Sequence, residues 1–477
     1  MPLHIKTLYT FIVLALIAAS LPFLTATTAQ GKENPTHHDM APLEDTVRAI
    51  DTERGTLVFD ELKGGTRVLV LEIPSSPVTY GMISVNVGSR YESEQNAGIS
   101  HLLEHLMFRE HGENSRLERI RETGGSVNAV TDMELTSYYF TVLPQHFEQS
   151  MSALTGLVTE PRFTEQDLES EREVVLEELA QGTNDPRALV LTQLVKQIFP
   201  DSPMNSFVIG TEESIAAITY DEIRDYYKTY YSPANMTVIA AGRVDAGKTM
   251  ETLRMLYGER DRQGVPSTQF VVPEPALNRL IKKIPIKQSF FIYGFLTPGK
   301  NSEDFFAMEV FDILFASGVH SRLQRRIVTE RGYTEQIYPN WYSYSNTGIW
   351  AVFLSVDPDD MDAVRSLVEK EMQALTMGMF SESELETAKR ALATRMRLNL
   401  DKPEDLAWFH LENLTYRNTT MTVSEYVKAL EKVRVEDIMH IGRTYCSEDK
   451  TVTIEMTPAK GVERLFLILK YLTTKTL

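Results

Sequence analysis

One cysteine, Cys446, stands in 477 residues. No intrachain disulfide can form, so a disulfide-dense extracellular module is excluded and the fold must rest on core burial. Positive charge is also scarce: 48 Lys and Arg face 66 Asp and Glu, a formal net charge of -18. Nucleic acid binding needs a basic patch, which excludes nucleic acid as a partner, whereas an acidic surface favours basic peptides. Charge of either sign is nearly missing from the first thirty residues, where Lys6 is the sole charged side chain before Gly31. An apolar run over residues 8–24, broken by Ser20 and Pro22, leads to small residues ending at Ala29. A basic start, apolar middle and small-residue end form the layout of a secretory signal peptide. We therefore expect residues 1–29 to be a signal peptide, with an uncleaved membrane anchor as the alternative. Cleavage would leave no stable membrane span. An exported chain without disulfides suits a bacterial periplasm.

The remainder has the composition of an ordinary globular protein, 43% hydrophobic and 24% charged, and room for about two to three domains. Residues 30–55 read as a linker, and residues 259–276, with Gly264, Pro266, Ser267, Pro273 and Pro275, as a second one. Residues 66–72 and 79–88 are β-rich runs bounded by Gly, Pro and Ser. Helices are expected from about Ser100, the predicted N-cap, over 115–122, and over 164–181 with Thr164 and Gly182 as caps. Residues 124–131 and 135–142 read as a hairpin. Residues 221–232, a helix, followed by a strand at 236–241, recur 215 residues on as 436–447 and 451–456. A helix, a turn and a strand in register predict a duplicated α+β domain, at 56–258 and 277–459. The tail 460–477 carries an apolar and basic helix over 462–472, expected to pack on the body.

The chain has ten histidines, and two of them flank Glu104 in His101-Leu-Leu-Glu-His105. Positions i, i+3 and i+4 share one helix face. Two imidazoles one turn apart can grip one Zn²⁺ from the same side, and the carboxylate between them can reach a water on it. The order H-x-x-E-H inverts the commoner H-E-x-x-H. The plainer alternative is a pair of satisfied surface or core histidines. A third ligand is available on the helix at 164–181, where Glu171 and Glu178 lie two turns apart on one face, beside a separate apolar stripe of Val175 and Leu179. Glu165, Glu169, Glu173 and Glu177 fit a solvent face, and periodicity alone does not single out Glu178.

Three segments carry a resemblance over about residues 56–457. They are Val87-Gly-Ser-Arg-Tyr-Glu92, Gly98-Ile-Ser-His-Leu-Leu-Glu-His-Leu-Met-Phe108 and Glu171-Arg-Glu-Val-Val-Leu-Glu-Glu178. Tyr230-Tyr-Ser-Pro-Ala-Asn235 adds to them. The chain resembles the pitrilysin/insulinase metallopeptidases, the family that includes the mitochondrial processing peptidases. The resemblance implies two homologous α+β domains, each a mainly antiparallel sheet packed with helices, enclosing half of a clam-like chamber. It implies one Zn²⁺ per chain on His101, His105 and Glu178, Glu104 as general base toward the zinc water, and Glu171 as a supporting carboxylate that steadies a ligand. Peptide would join as an added strand along Val127-Asn-Ala129, with Asn128 and Ala129 binding substrate.

The expected function is an exported zinc metalloendopeptidase acting on peptides or unfolded segments. The alternative is a catalytically weak scaffold or chaperone-like subunit. One departure bears on this choice. Many relatives bind substrate with a C-terminal Arg and Tyr; aligned without gaps on Ser321-Arg-Leu323 and Arg331-Gly332, this chain has Val328 and Glu335 there. A slipped alignment offers Arg326 and Tyr333. The ungapped reading implies a homologous sister subunit that supplies the Arg/Tyr pair, and otherwise a homodimer.

Overall fold

A computed structural model describes residues 47–474, apart from 53, 111–114, 183–185, 201, 206, 259–263, 267–269 and 277. The expected signal peptide lies outside the described residues. Seven strands form a first sheet: β1 (Val47–Thr52), β2 (Gly55–Glu61), β3 (Arg67–Glu72), β4 (Thr79–Val85), β5 (Ser126–Thr131), β6 (Thr136–Val142) and β7 (Met236–Gly242), in the order β1-β2-β3-β7-β4-β6-β5. Five form a second: β8 (Arg279–Ile284), β9 (Ser289–Pro298), β10 (Ile337–Ser343), β11 (Thr347–Val356) and β12 (Thr451–Pro458), in the order β10-β11-β9-β12-β8. The β3–β7 and β8–β12 pairs are parallel; the other pairs are antiparallel. Position for position, β8-β12-β9-β11-β10 repeats β3-β7-β4-β6-β5, so the duplication read from one helix and strand extends to a whole sheet. The first linker is shorter than expected: residues 47–52, read as part of it, pair with β2 as β1. Their short alternating sequence lacks the Gly and Pro signals that would have separated strand from linker.

The helices that matter for the site and the frame are α1 (Ile99–Met107), α2 (Phe147–Thr159), α3 (Glu165–Gly182), α4 (Pro186–Ile198) and α5 (Tyr220–Tyr230) in the first half. In the second they are α6 (Phe305–Asp312), α7 (Met361–Thr376), α8 (Pro403–Arg417), α9 (Val435–Tyr445) and α10 (Gly461–Thr474).

Strand periodicity sends alternate residues to opposite faces, and here both faces are apolar. In the first sheet Val68, Val70, Ile83, Val238 and Ala240 pack under α1, α2 and α5. Leu69, Leu71, Met82, Ile239 and Ala241 face the other way, into a core shared with Leu406, Phe409 and Leu414 of α8. The Arg67 guanidinium donates to the Leu414 carbonyl at 3.0 Å. The second sheet mirrors this. Phe291, Phe295, Trp350 and Val352 pack on its own helices α6, α7 and α9. Ile292, Ala351, Phe353 and Ile454 pack on Val190, Leu194 and Ile198 of α4, from the first half. Each half thus covers the other's sheet with one helix. Gly294 in β9 makes room for this contact: a Cβ there would lie 2.9 Å from Leu194 Cδ2 and 2.8 Å from the Trp350 carbonyl oxygen.

The tail forms α10, and the side chains described are those of its first two turns. Val462, Leu465 and Phe466 stay exposed, while Glu463 pairs with Lys283 at 3.1 Å.

Leu194 is fully buried between the halves. Leu194→Ala should cost about 2–5 kcal/mol, seen as a lower urea midpoint for the whole chain. Loss confined to the second half would contradict a shared core.

Candidate metal centre

Residues 87–92 set up α1. Gly88 lets the chain cross the β5–β6 turn, since a Cβ there would lie 2.0 Å from the Asp132 carbonyl oxygen; the Arg90 N–H then donates to the Met133 carbonyl at 2.8 Å. The buried Arg90 guanidinium pairs with Glu134 and donates to Ser345 Oγ of the second half at 2.9 Å. Glu92 caps α1: its carboxylate accepts from Gly98 N at 2.7 Å and Ser100 N at 2.9 Å. A helix start has unbonded N–H groups and favours negative charge. Burial nevertheless raises the Glu92 pKa, and the hydrogen bonds from Ser100 and Gly98 oppose that shift. The predicted cap, Ser100, sits inside the helix and bonds to the Tyr226 hydroxyl of α5 at 2.7 Å. The N-cap is Gly98, at φ 92°, a left-handed conformation that glycine adopts freely.

Leu102, Leu103 and Leu106 are fully buried against the sheet side. That turns His101, Glu104 and His105 toward α3, as their spacing predicted. The imidazole centroids are 4.6 Å apart. On α3, Leu168, Glu171, Val175 and Glu178 recur at i, i+3, i+7 and i+10, and this single face is the inner one. Leu168, Glu171 and Val175 are buried, and the Glu178 side chain is 9% exposed. The apolar stripe is therefore not separate: Val175 lies between the two glutamates, while Leu179 is only half-buried. Glu165, Glu169, Glu173 and Glu177 are exposed, as expected.

Glu171 Oε2 accepts from His105 Nδ1 at 2.8 Å, and Arg109 holds the other oxygen. Donation from Nδ1 leaves the His105 Nε2 lone pair free for a metal. Glu178 Oε2 lies 3.7 Å from His105 Nε2 and 4.0 Å from His101 Nε2. These gaps are too long for hydrogen bonds. They are close to the roughly 3.4 Å between ligand atoms on a tetrahedral zinc with bonds of 2.0–2.2 Å. One ligand atom from each residue fits within 4.8 Å of the others. His101 Nδ1 and Glu178 Oε2 are buried without a hydrogen-bond partner. The donor set of two nitrogens and one carboxylate suits zinc and leaves a coordination position free.

The charges fit the same use. Burial, then His105, pushes His101 down to about 3, so its ring is neutral. Burial also opposes charge on His105, but Glu171, Glu104 and Glu178 outweigh it and raise its pKa. Burial works to raise Glu171 too, but His105 and Arg109 prevail and hold its carboxyl low. Glu178 is raised by burial. Glu104 is raised by burial against the pull of His105 and Thr131.

Thr131 donates to Glu104 Oε2 at 2.6 Å. It ends β5, the edge strand, and shares its face with Ala129, which packs in the cluster under α1. Asn128 lies on the opposite face, paired with Tyr139 across the β5–β6 ladder, and its side chain bonds the Tyr139 hydroxyl. The Asn128 side chain therefore points away from the histidines, a consequence of strand alternation. Arg326 is committed to Glu330 at 2.8 Å and Glu371 at 3.1 Å. Val328 and Tyr333 pack on the second-half core, and Glu335 is exposed.

Sequence reasoning missed Glu92, Arg109 and Thr131. Arg109 follows His105 by four residues, the spacing that shares a helix face. Thr131 follows Ala129 by two, the spacing that shares a strand face. Glu92 acts across a loop, and no periodicity marks it.

A His-x-x-Glu-His helix facing a glutamate from a second helix, within a duplicated α+β frame, defines the class of zinc peptidases with the inverted motif. Residues 67–212 match the family model described as insulinase (peptidase family M16), and residues 217–392 match that described as the peptidase M16 inactive domain. An uncharacterised zinc protease of Mycobacterium leprae is 30% identical over 349 residues, 71% of this chain and 78% of that protein. The chain belongs to the pitrilysin/insulinase family of peptidases, M16. A probable mitochondrial-processing peptidase subunit beta of Arabidopsis thaliana is 24% identical over 413 residues, covering 82% of this chain and 76% of that one. The fold is shared with the crystal structure of a Helicobacter pylori protease, with a TM-score of 0.76 and 20% identity over 85% of this chain and all of that one. α6, which follows β9 as α1 follows β4, carries no histidine, and among the described residues the one candidate ligand cluster lies in the first half.

Glu171→Gln keeps the size of the side chain but weakens its hold on His105. Zinc affinity should fall about 10–100-fold, measured by competition with a chromogenic chelator. Unchanged affinity would remove Glu171 from the site.

Proposed function

We propose that the chain is a zinc-dependent endopeptidase that cleaves peptides or unfolded segments. The observation that carries this reading is the convergence of His101, His105 and Glu178, with Glu178 Oε2 buried and unpartnered, beside a carboxylate that is not needed as a ligand. Zinc, when bound, supplies a Lewis acid that polarises water and a peptide carbonyl. Glu104 serves as the base. Thr131 fixes its Oε2 and leaves Oε1 to take a proton and return it to the leaving amine. Burial raises its pKa toward the range where both transfers run. Glu171 keeps His105 in one tautomer and one orientation. The outer edge of β5 offers main-chain groups to an extended peptide, with Ala129 on the side of the base.

Among the described residues no helix is long and apolar enough to cross a membrane. The reading includes export to the periplasm through residues 1–29. It also includes a homologous partner that supplies the Arg/Tyr pair, since Arg326 is held in ion pairs and Val328 and Glu335 carry neither function. The relative described as subunit beta supports a paired assembly.

Glu104→Gln should keep one zinc per chain and lower peptide cleavage by about 10²–10⁴-fold. Equal cleavage by both proteins, or no zinc in either, would overturn the enzyme reading. Purification from the native cell should recover a sister chain; a fully active pure homodimer would refute the split site.

A further inference from the structure

A cavity of about 190 Å³ opens on the side of the first sheet away from α1, between the two halves. Leu71 of β3 forms one wall; it belongs to the core facing α8 rather than to the cluster beneath the histidines. Leu400 and Leu406 form the facing wall, from the second half. Arg54 and Arg397 stand at its rim, and His410 and Ser424 also line it. Arg54 reaches across the halves to the Asp401 carboxylate and to its carbonyl at 3.3 Å.

Three of these polar groups make no hydrogen bond or ion pair among the described residues. His410 is 2% exposed, its ring meets Phe409 edge-on, and its Nδ1 is buried without a partner. Burial pushes it down to about 3, so it is a neutral imidazole with one N–H to donate. Arg397 and Ser424 likewise have no partner among the described residues. An unsatisfied buried polar group costs on the order of 1–3 kcal/mol, so its position beside a cavity points to something that fills it. All three groups are able to donate. Among the described residues no carboxylate lines the cavity, although the chain has a net charge of -18. A void of about 150 Å³ accepts benzene, so this one holds roughly eight heavy atoms.

We propose that this cavity binds a small carboxylate with a branched aliphatic body, and that its binding fastens the two halves together. The carboxylate lies against Arg397, Ser424 and the His410 imidazole, and the aliphatic body lies between Leu71 and Leu400. The ligand touches residues of both halves and none of the residues assigned to zinc.

The test uses the full-length, zinc-loaded chain and isocaproate as the probe, followed by titration calorimetry and thermal unfolding. Saturable one-to-one binding is expected, with a rise in the unfolding midpoint. Leucinamide, which lacks the carboxylate, should not bind. Arg397→Glu, at an exposed site, should weaken isocaproate at least about tenfold, the scale of a charge-assisted hydrogen bond, with peptide cleavage unchanged. Ser424→Ala should weaken it less. Acetyl-leucine has about four heavy atoms more than the cavity holds, so its acetyl group must reach out through the mouth; its binding as well as that of isocaproate supports the site with a peptide C-terminus as the source, and isocaproate binding alone supports it with a free acid. Three results overturn the proposal: no saturation up to about 10 mM, equal affinity in Arg397→Glu, or binding that disappears when zinc is removed with a chelator.

Discussion

Two sheets that are apolar on both faces cannot stand alone in water, and this constraint organises the molecule. Each half covers one face of its own sheet with its own helices. The second face is covered by a helix from the other half, α8 on the first sheet and α4 on the second. The two halves are one cooperative body, because separating them would bare Leu69, Leu71, Ile292 and Phe353 together. The buried Arg90–Glu134 pair, tied to Ser345, sits at this junction. A buried ion pair adds little net stability, yet losing either partner leaves a stranded charge. Its contribution here is register: Arg90 lies two residues before Glu92, which caps the histidine helix. Five residues from Gly88 to Glu92 thus join the interface, the hairpin turn and the candidate metal centre.

The centre itself is governed by an excess of carboxylate over cation. Glu104, Glu171 and Glu178 surround two imidazoles, one neutral and one raised. Arg109 meets the charge of Glu171. Among the described residues Glu104 and Glu178 have no such partner, and burial raises both. A divalent cation at the meeting point of His101, His105 and Glu178 would relieve that raised state. The division of labour among the three glutamates follows from their neighbours: an arginine and a histidine for Glu171, two imidazoles for Glu178, a threonine hydroxyl for Glu104.

Much of this was legible in the sequence because it rests on local spacing. The His-x-x-Glu-His face, the seven-residue separation of Glu171 and Glu178, and the 215-residue repeat are all periodicities, and helices and strands preserve them. What escaped depends on partners distant in sequence. Glu92 displaced Ser100 as the cap because a loop returned it to the helix start. The face that Asn128 takes was set by the register of β5 on β6, which gave the other face to Ala129 and Thr131. Val175 joined the glutamates because the helix has one inner face, which the charge pattern disguised. β1 looked like linker because its pairing to β2 is what defines it. The exchange of α4 and α8 had no local signature, since an amphipathic helix does not reveal whose sheet it will cover.

That exchange also imposes an order on folding. α4 is made early, at residues 186–198, but the strand β12 beneath it is complete only at residue 458. A ribosome adding about 5–20 residues per second therefore leaves Val190, Leu194 and Ile198 without their partners for many seconds. The first sheet waits equally for α8. Contacts so distant along the chain close slowly, so the newborn first half must persist as a sticky intermediate. Under the export proposed above this delay is useful: a half that cannot finish folding until the last strand arrives stays loose enough to be threaded.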